Sequence, residues 1–189
     1  MARKGINKAN QQEWQLFENM RLLSDSEYKQ NRTCIFVSHK KEDAIKAREI
    51  TNYIMDCGID VFFDENDEIL SNPEMNSDPV KVTNAINKAL QRSTHMICIL
   101  SNKTQQSWWV PYEIGYVSNN RAFSISDIGI LLIKNIIHLP EYLFLAKNIS
   151  TTIELDNFLK SSSSEKTLLL EDVKTFSELL NHPLNSILK

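Results

Sequence analysis

The sequence predicts an α/β fold, a parallel sheet with helices on both faces. Short runs of β-branched and aromatic residues alternate along the chain with segments whose apolar residues recur at helical spacing. Ile128-Gly129-Ile130-Leu131-Leu132-Ile133 is apolar at nearly every position, as a strand covered on both faces requires. The strand-like runs stop at polar residues, Ser38-His39, Asp64-Glu65 and Ser101, where open α/β sheets gather their ligands.

The run from Asn10 to Leu23 carries Trp14, Leu16, Phe17, Met20 and Leu22, predicting an amphipathic helix ahead of the main fold. Thr33 to Val37 predicts a buried first strand. From Glu42 to Cys57, residues Ala44, Ala47, Ile50 and Ile54 recur at helical spacing, and Gly58 is placed to end that helix as a left-handed cap. Ile59 to Phe63 predicts the second strand. The polar loop after it, rich in Asn, Asp and Pro, is long for a small domain, which marks it as a functional candidate. Val80 to Leu90 predicts a helix, Met96 to Leu100 the third strand, and Ser107 the cap of a helix running towards Val117. After the fourth strand, Leu139 to Leu143 turns towards a short fifth strand or irregular edge. Ile153 to Leu159 predicts a further helix, and Leu168 to Leu188 one or two helical pieces interrupted by Pro183. The expected organisation is a helical extension over 1–30, one domain over 31–160 and a second helical extension over 161–189.

At 189 residues and a net charge of −3, the chain suits one domain with additional length. Its mildly acidic balance lacks the basic stripe of a nucleic-acid binder. No apolar run approaches the roughly 18 residues that span a bilayer, and the basic N-terminus leads into polar residues, so a soluble, cytoplasmic protein is expected. Cys34, Cys57 and Cys98 are expected as reduced core residues. The scattered histidines and cysteines have no zinc-ligand spacing, so no metal is expected. Glycine-rich dinucleotide and P-loop signatures are absent, so any nucleotide is held in another way.

The chemistry-bearing stretch is Ser107-Trp108-Trp109-Val110-Pro111-Tyr112-Glu113. Residues four apart on a helix share a face, so Trp109 and Glu113 should place an indole beside a carboxylate just beyond the third strand. Ser38, His39 and Lys40 follow the first strand at the same end of the sheet, where a hydroxyl and positive charge could meet a ribose or diphosphate. Phe63 and Asp64 end the second strand, one offering a stacking surface and the other a carboxylate for a hydroxyl or for the loop.

In their order these segments resemble a bacterial Toll/interleukin-1 receptor (TIR) domain. Cys34-Ile35-Phe36-Val37-Ser38-His39-Lys40-Lys41-Glu42-Asp43 is similar to the family's first strand and following loop. Gly58 to Asp64 resembles its second strand, Ile97 to Ser101 its third, and Ser107 to Gly115 its most specific segment. The resemblance, over roughly Arg32 to Leu159, implies a flavodoxin-like three-layer fold with a five-stranded parallel sheet. It also implies one of two roles. One is an NAD-consuming enzyme that breaks the nicotinamide–ribose bond and releases ADP-ribose or a cyclic or variant form, as in bacterial antiviral systems of the Thoeris type. Glu113 is then the catalytic residue, NAD is a substrate and no cofactor is needed. The product would reach a downstream effector, and neighbouring protomers would assemble to complete the site. The other role is a noncatalytic module for signalling and assembly. A deoxyribosyltransferase-like enzyme is a more distant alternative.

Nicotinamide in NAD is already a cationic leaving group, so its departure needs no general acid, unlike ordinary glycoside hydrolysis with its two carboxylates. One fixed carboxylate, Glu113, could stabilise the positive charge that develops on the ribose or hold its hydroxyls.

Overall fold

Five parallel strands form one sheet in the order β2-β1-β3-β4-β5. The computed structural model describes residues 4–9, 33–64, 78–104, 107, 109–119, 124–136, 140–141, 143, 146–163 and 181–189. The strands are β1 (Cys34–Ser38), β2 (Asp60–Phe62), β3 (His95–Leu100), β4 (Ile128–Leu132) and β5 (Lys147–Ile149). The helices are α1 (Ala44–Asp56), α2 (Pro79–Gln91), α3 (Trp109–Asn119) and α4 (Thr152–Ser162). This is the flavodoxin-like strand order.

The two-residue alternation of β1 and β3 divides the core into two layers. Ile35, Val37, Ile97 and Ile99 face α1 and α4, meeting Ile50, Ile54, Leu155 and Phe158. Phe36, Met96, Cys98 and Leu100 face α2 and α3, meeting Ile86, Leu90, Val110, Ile114 and Val117. Local chemistry fixes several helix ends. Gly58 closes α1 at φ 83°, the left-handed conformation expected of it. The Asp78 side chain accepts from the backbone N–H groups of Val80 and Lys81 at the start of α2. Thr151 and Glu154 form a capping box on α4. The three cysteines are buried thiols, as expected.

The segments flanking the domain in the described chain are extended at 4–8 and turned at 181–189, the latter in place of the expected helical piece. Residues 4–8 run beside β2 as an extra extended segment. Val61 N donates to Ile6 O at 2.9 Å and Lys8 N to Val61 O at 2.8 Å, with Asn7 bridged in parallel to Val61. Asn7 also exchanges side-chain hydrogen bonds with the backbone of Phe63. The buried Asp60 carboxylate accepts from Ile6 N at 3.1 Å and lies 3.6 Å from Lys8 Nζ. The segment thus covers the β2 edge and compensates a buried charge.

Residues 181–189 form turns and not a helix, with Leu184, Ile187 and Leu188 inside the α1–α4 layer. His182 holds them there. Its Nδ1 accepts from Leu184 N at 3.1 Å, its ring packs 4.6 Å from that of Tyr53, and Tyr53 donates to Asp156. Pro183 fits such a turn better than a helix interior. The helix expected from Asn10 to Leu23, the loop over 65–77 and the piece over 164–180 lie outside the described residues.

Candidate active site

The site of interest lies where the strand order reverses. The connection after β1 leads to α1 on one face and that after β3 leads to α3 on the other. The C-terminal ends of β1 and β3 therefore flank the topological switch point, where open α/β sheets bind ligands. The register pairs Ser38 with Cys98, so both side chains fall on the α3 face.

α3 brings Glu113 to the same spot. Its inward stripe is Val110, Glu113, Ile114 and Val117, a carboxylate set among apolar residues at helical spacing. Glu113 is 6% exposed, and the Ser38 hydroxyl, 3% exposed, donates to its Oε2. Burial is the larger influence on this carboxyl and pushes its pKa up to about 7, while the hydrogen bond from Ser38 pulls the other way. The Cys98 thiol is pushed up by burial first and by the charge of Glu113 second. A carboxyl poised near neutrality at a switch point can act as a charge stabiliser in its ionised form.

Trp109 lies one turn before Glu113, half-buried against the same apolar layer, with its ring edge-on to Tyr112 at 5.8 Å. Trp109 and Glu113 lie one turn apart on α3, the indole partly and the carboxylate almost wholly buried against that layer. His39 follows Ser38 and, by alternation, belongs to the other face. Its ring packs 4.8 Å from Phe63. Phe63 is 2% exposed and belongs to the α1–α4 layer, so the structure places it in the core and apart from Glu113. Lys40 precedes a 3₁₀ turn at Lys41–Asp43 and pairs with Glu42 at 3.4 Å. Asp64 is half-buried two residues beyond β2. Ser38 and Glu113 thus meet, Trp109 packs against the same layer one turn earlier on α3, and His39 and Phe63 form a second pair beyond β1.

Sequence reasoning missed a polar knot beside this crevice. Asp43, nearly buried, accepts from the Ser101 hydroxyl and, at 3.3 Å, from that of Thr104. Ser101 Oγ in turn accepts from Lys103 N at 3.1 Å and Thr104 N at 3.3 Å, so this serine caps a turn. The knot ties the loop after β1 to the loop after β3. Its one local signal is the Ser-x-x-Thr spacing at 101–104; Asp43 is too distant in sequence to be paired with it.

The family model of the TIR domain matches residues 35–162. The chain belongs to the TIR domain family. That match runs from the second residue of β1 to the end of α4, and it places Ser38 and Glu113 inside the TIR domain and residues 4–9 and 181–189 outside it. Comparison with curated proteins finds no match. No helix among the described residues is long and apolar enough to cross a membrane.

Proposed function

We propose that this TIR domain consumes NAD, breaking the bond between nicotinamide and ribose. The observation that carries the reading is the Glu113 carboxyl, buried at the switch point, held by Ser38 and poised near neutral pH. The electron pair of the C1′–N bond leaves with nicotinamide, which departs neutral. The positive charge remaining on the ribose is stabilised by ionised Glu113 until water, or a nucleophile within the same ADP-ribose, captures it. Trp109 supplies a flat apolar wall beside the carboxylate. The loop residues His39 and Lys40, together with Asp64, border the substrate's approach, and NAD serves as substrate with no further cofactor.

Glu113 is 6% exposed, so substrate reaches it only after the crevice rearranges. Self-association of protomers is the proposed trigger, and a diffusible ADP-ribose product acting on a downstream effector in a bacterial cytoplasm, in antiviral defence, is the proposed output. The same closure favours a second reading, a noncatalytic assembly module in which Glu113 is only a buried helix residue.

The deciding experiment incubates NAD with concentrated wild-type and Glu113→Gln protein, with and without infected-cell extract, and follows products by liquid chromatography with mass detection. Nicotinamide and an ADP-ribose species from wild type alone are expected. Intact NAD in both, under every activating condition, would leave the assembly module as the reading.

A further inference from the structure

Ser38 stands at the end of β1 with its one hydroxyl proton committed. That proton goes to Glu113 Oε2, the residue is 3% exposed, and β3 backs it through the paired Cys98. A hydroxyl so placed has no second proton to offer a ribose, and its oxygen lies inside the fold. We infer that Ser38 is a positioning residue, acting through Glu113 by anchoring one carboxylate oxygen and so fixing how the carboxylate is presented at the switch point. The inference rests on the NAD-cleaving reading for its consequence in turnover, but the contact itself does not depend on that reading.

The surroundings give the contact its weight. From α3 itself, Val110, Ile114 and Val117 flank Glu113 with apolar surface, and α2 contributes Val82, Ile86, Ala89 and Leu90 to the same layer. From β3 the titratable neighbour is the Cys98 thiol, whose ionised form the Glu113 charge disfavours and the nearby Ser38 hydroxyl favours. The donor from β1 is Ser38, and it opposes burial in favouring the ionised carboxylate. A hydrogen bond to a charged group in such a setting is stronger than one between neutral groups.

The knot of Asp43, Ser101 and Thr104 completes the arrangement. It fixes the turn that begins two residues after Ser38, where Asp43 N donates to Lys40 O at 2.8 Å, and so limits how far the β1 end can move from β3.

Ser38→Ala removes the donor and Ser38→Thr restores a hydroxyl, with Glu113→Gln as reference. The first readout needs no substrate. The carboxyl stretch of Glu113, identified as the infrared band lost in Glu113→Gln, is titrated in each folded protein. Loss of the donor should raise its midpoint by about one to two pH units in Ser38→Ala, and Ser38→Thr should return it towards the wild-type value. Should the threonine methyl prevent folding, the alanine variant alone decides.

The second readout is nicotinamide release against pH. The rising limb should move upward in Ser38→Ala, with turnover about tenfold lower near pH 7 and regained at high pH. An unmoved infrared midpoint would overturn the inference. So would an unmoved limb accompanied by a higher KM at every pH, the pattern of a group that contacts substrate directly. If wild type releases no nicotinamide yet the infrared midpoint shifts as expected, the enzymatic reading fails and the positioning role of Ser38 stands.

Discussion

Glu113→Gln should make this TIR domain more stable, and increasingly so as pH rises. The folded carboxyl titrates near 7 because of burial, against an ordinary value of 4.5. Below about pH 4.5 both folded and unfolded chains hold the proton, and the group carries no ionisation penalty. Between about 4.5 and 7 the unfolded chain releases a proton that the folded chain retains, so unfolding is favoured progressively as pH rises. Above the folded value the full difference is reached, about 3 kcal/mol from some 2.5 pH units. The variant's glutamine side chain would have a similar shape and could still accept from Ser38, but it carries no charge to desolvate. The stability difference between variant and wild type should therefore grow by about 2.5 kcal/mol from pH 5 to pH 8.5, a widening in Tm of about 5–10 °C for a chain of this size. Urea unfolding followed by circular dichroism at a series of pH values measures it. Every other ionisable group is common to the two proteins, so only the Glu113 contribution survives in the difference. A gap that stays constant from pH 5 to pH 8.5 would refute the argument, since it would mean that Glu113 titrates alike in both states.

Three glycines should respond to alanine in three different ways. At Gly5 a Cβ would meet Ile59 O at 1.9 Å, so Gly5→Ala should lift the N-terminal segment from β2. Hydrogen exchange at the Val61 amide, now bonded to Ile6 O, should accelerate strongly, and unchanged protection would count against the edge-covering role. At Gly129 the added carbon would meet Ile149 Cδ1 at 2.8 Å and the Phe158 ring at 3.3 Å, so Gly129→Ala should destabilise by about 1–3 kcal/mol in chemical denaturation. At Gly115 on α3 it would meet nothing within 4 Å, so Gly115→Ala should stabilise by about 0.5–1 kcal/mol through helix propensity alone. A loss of stability there would show that the outer face of α3 needs its glycine.

The strands were legible because both faces of this sheet are covered, which makes runs such as Met96 to Leu100 apolar throughout. Glu113 was legible through its distance from Trp109 along one helix. The bond that defines its state was not, because Ser38 lies 75 residues away and only the parallel register of β1 and β3 brings it near. The same limit hid the knot between Asp43 and Ser101, 58 residues apart. At the C-terminal piece over 181–188, hydrophobic periodicity misled. Leu184, Ile187 and Leu188 have helical spacing, but they reach the core from a run of turns pinned by His182. Lys4 to Lys8 is too polar and too short to announce itself as an edge segment. Its place follows from what β2 needs, a partner for its outer backbone groups and compensation for the Asp60 carboxylate.

The two functional readings diverge over what Glu113 costs. A buried residue whose only task is to pack α3 against β1 and β3 would serve better as an uncharged side chain, because an ionised carboxylate in an apolar stripe lowers stability at every pH above its folded titration point. Ser38 offsets part of that cost without removing it, and burial still holds the carboxyl's pKa well above its ordinary value. An assembly module gains nothing from that state. A glycosidic bond whose leaving group is already cationic gains a charge stabiliser that is ionised in an appreciable fraction of molecules and becomes useful once the crevice opens. A widening stability gap between Glu113→Gln and wild type, together with loss of nicotinamide release in the same variant, would show one residue trading folding stability for chemistry. A widening gap with no turnover in either protein would leave the carboxyl as an uncompensated cost of the fold.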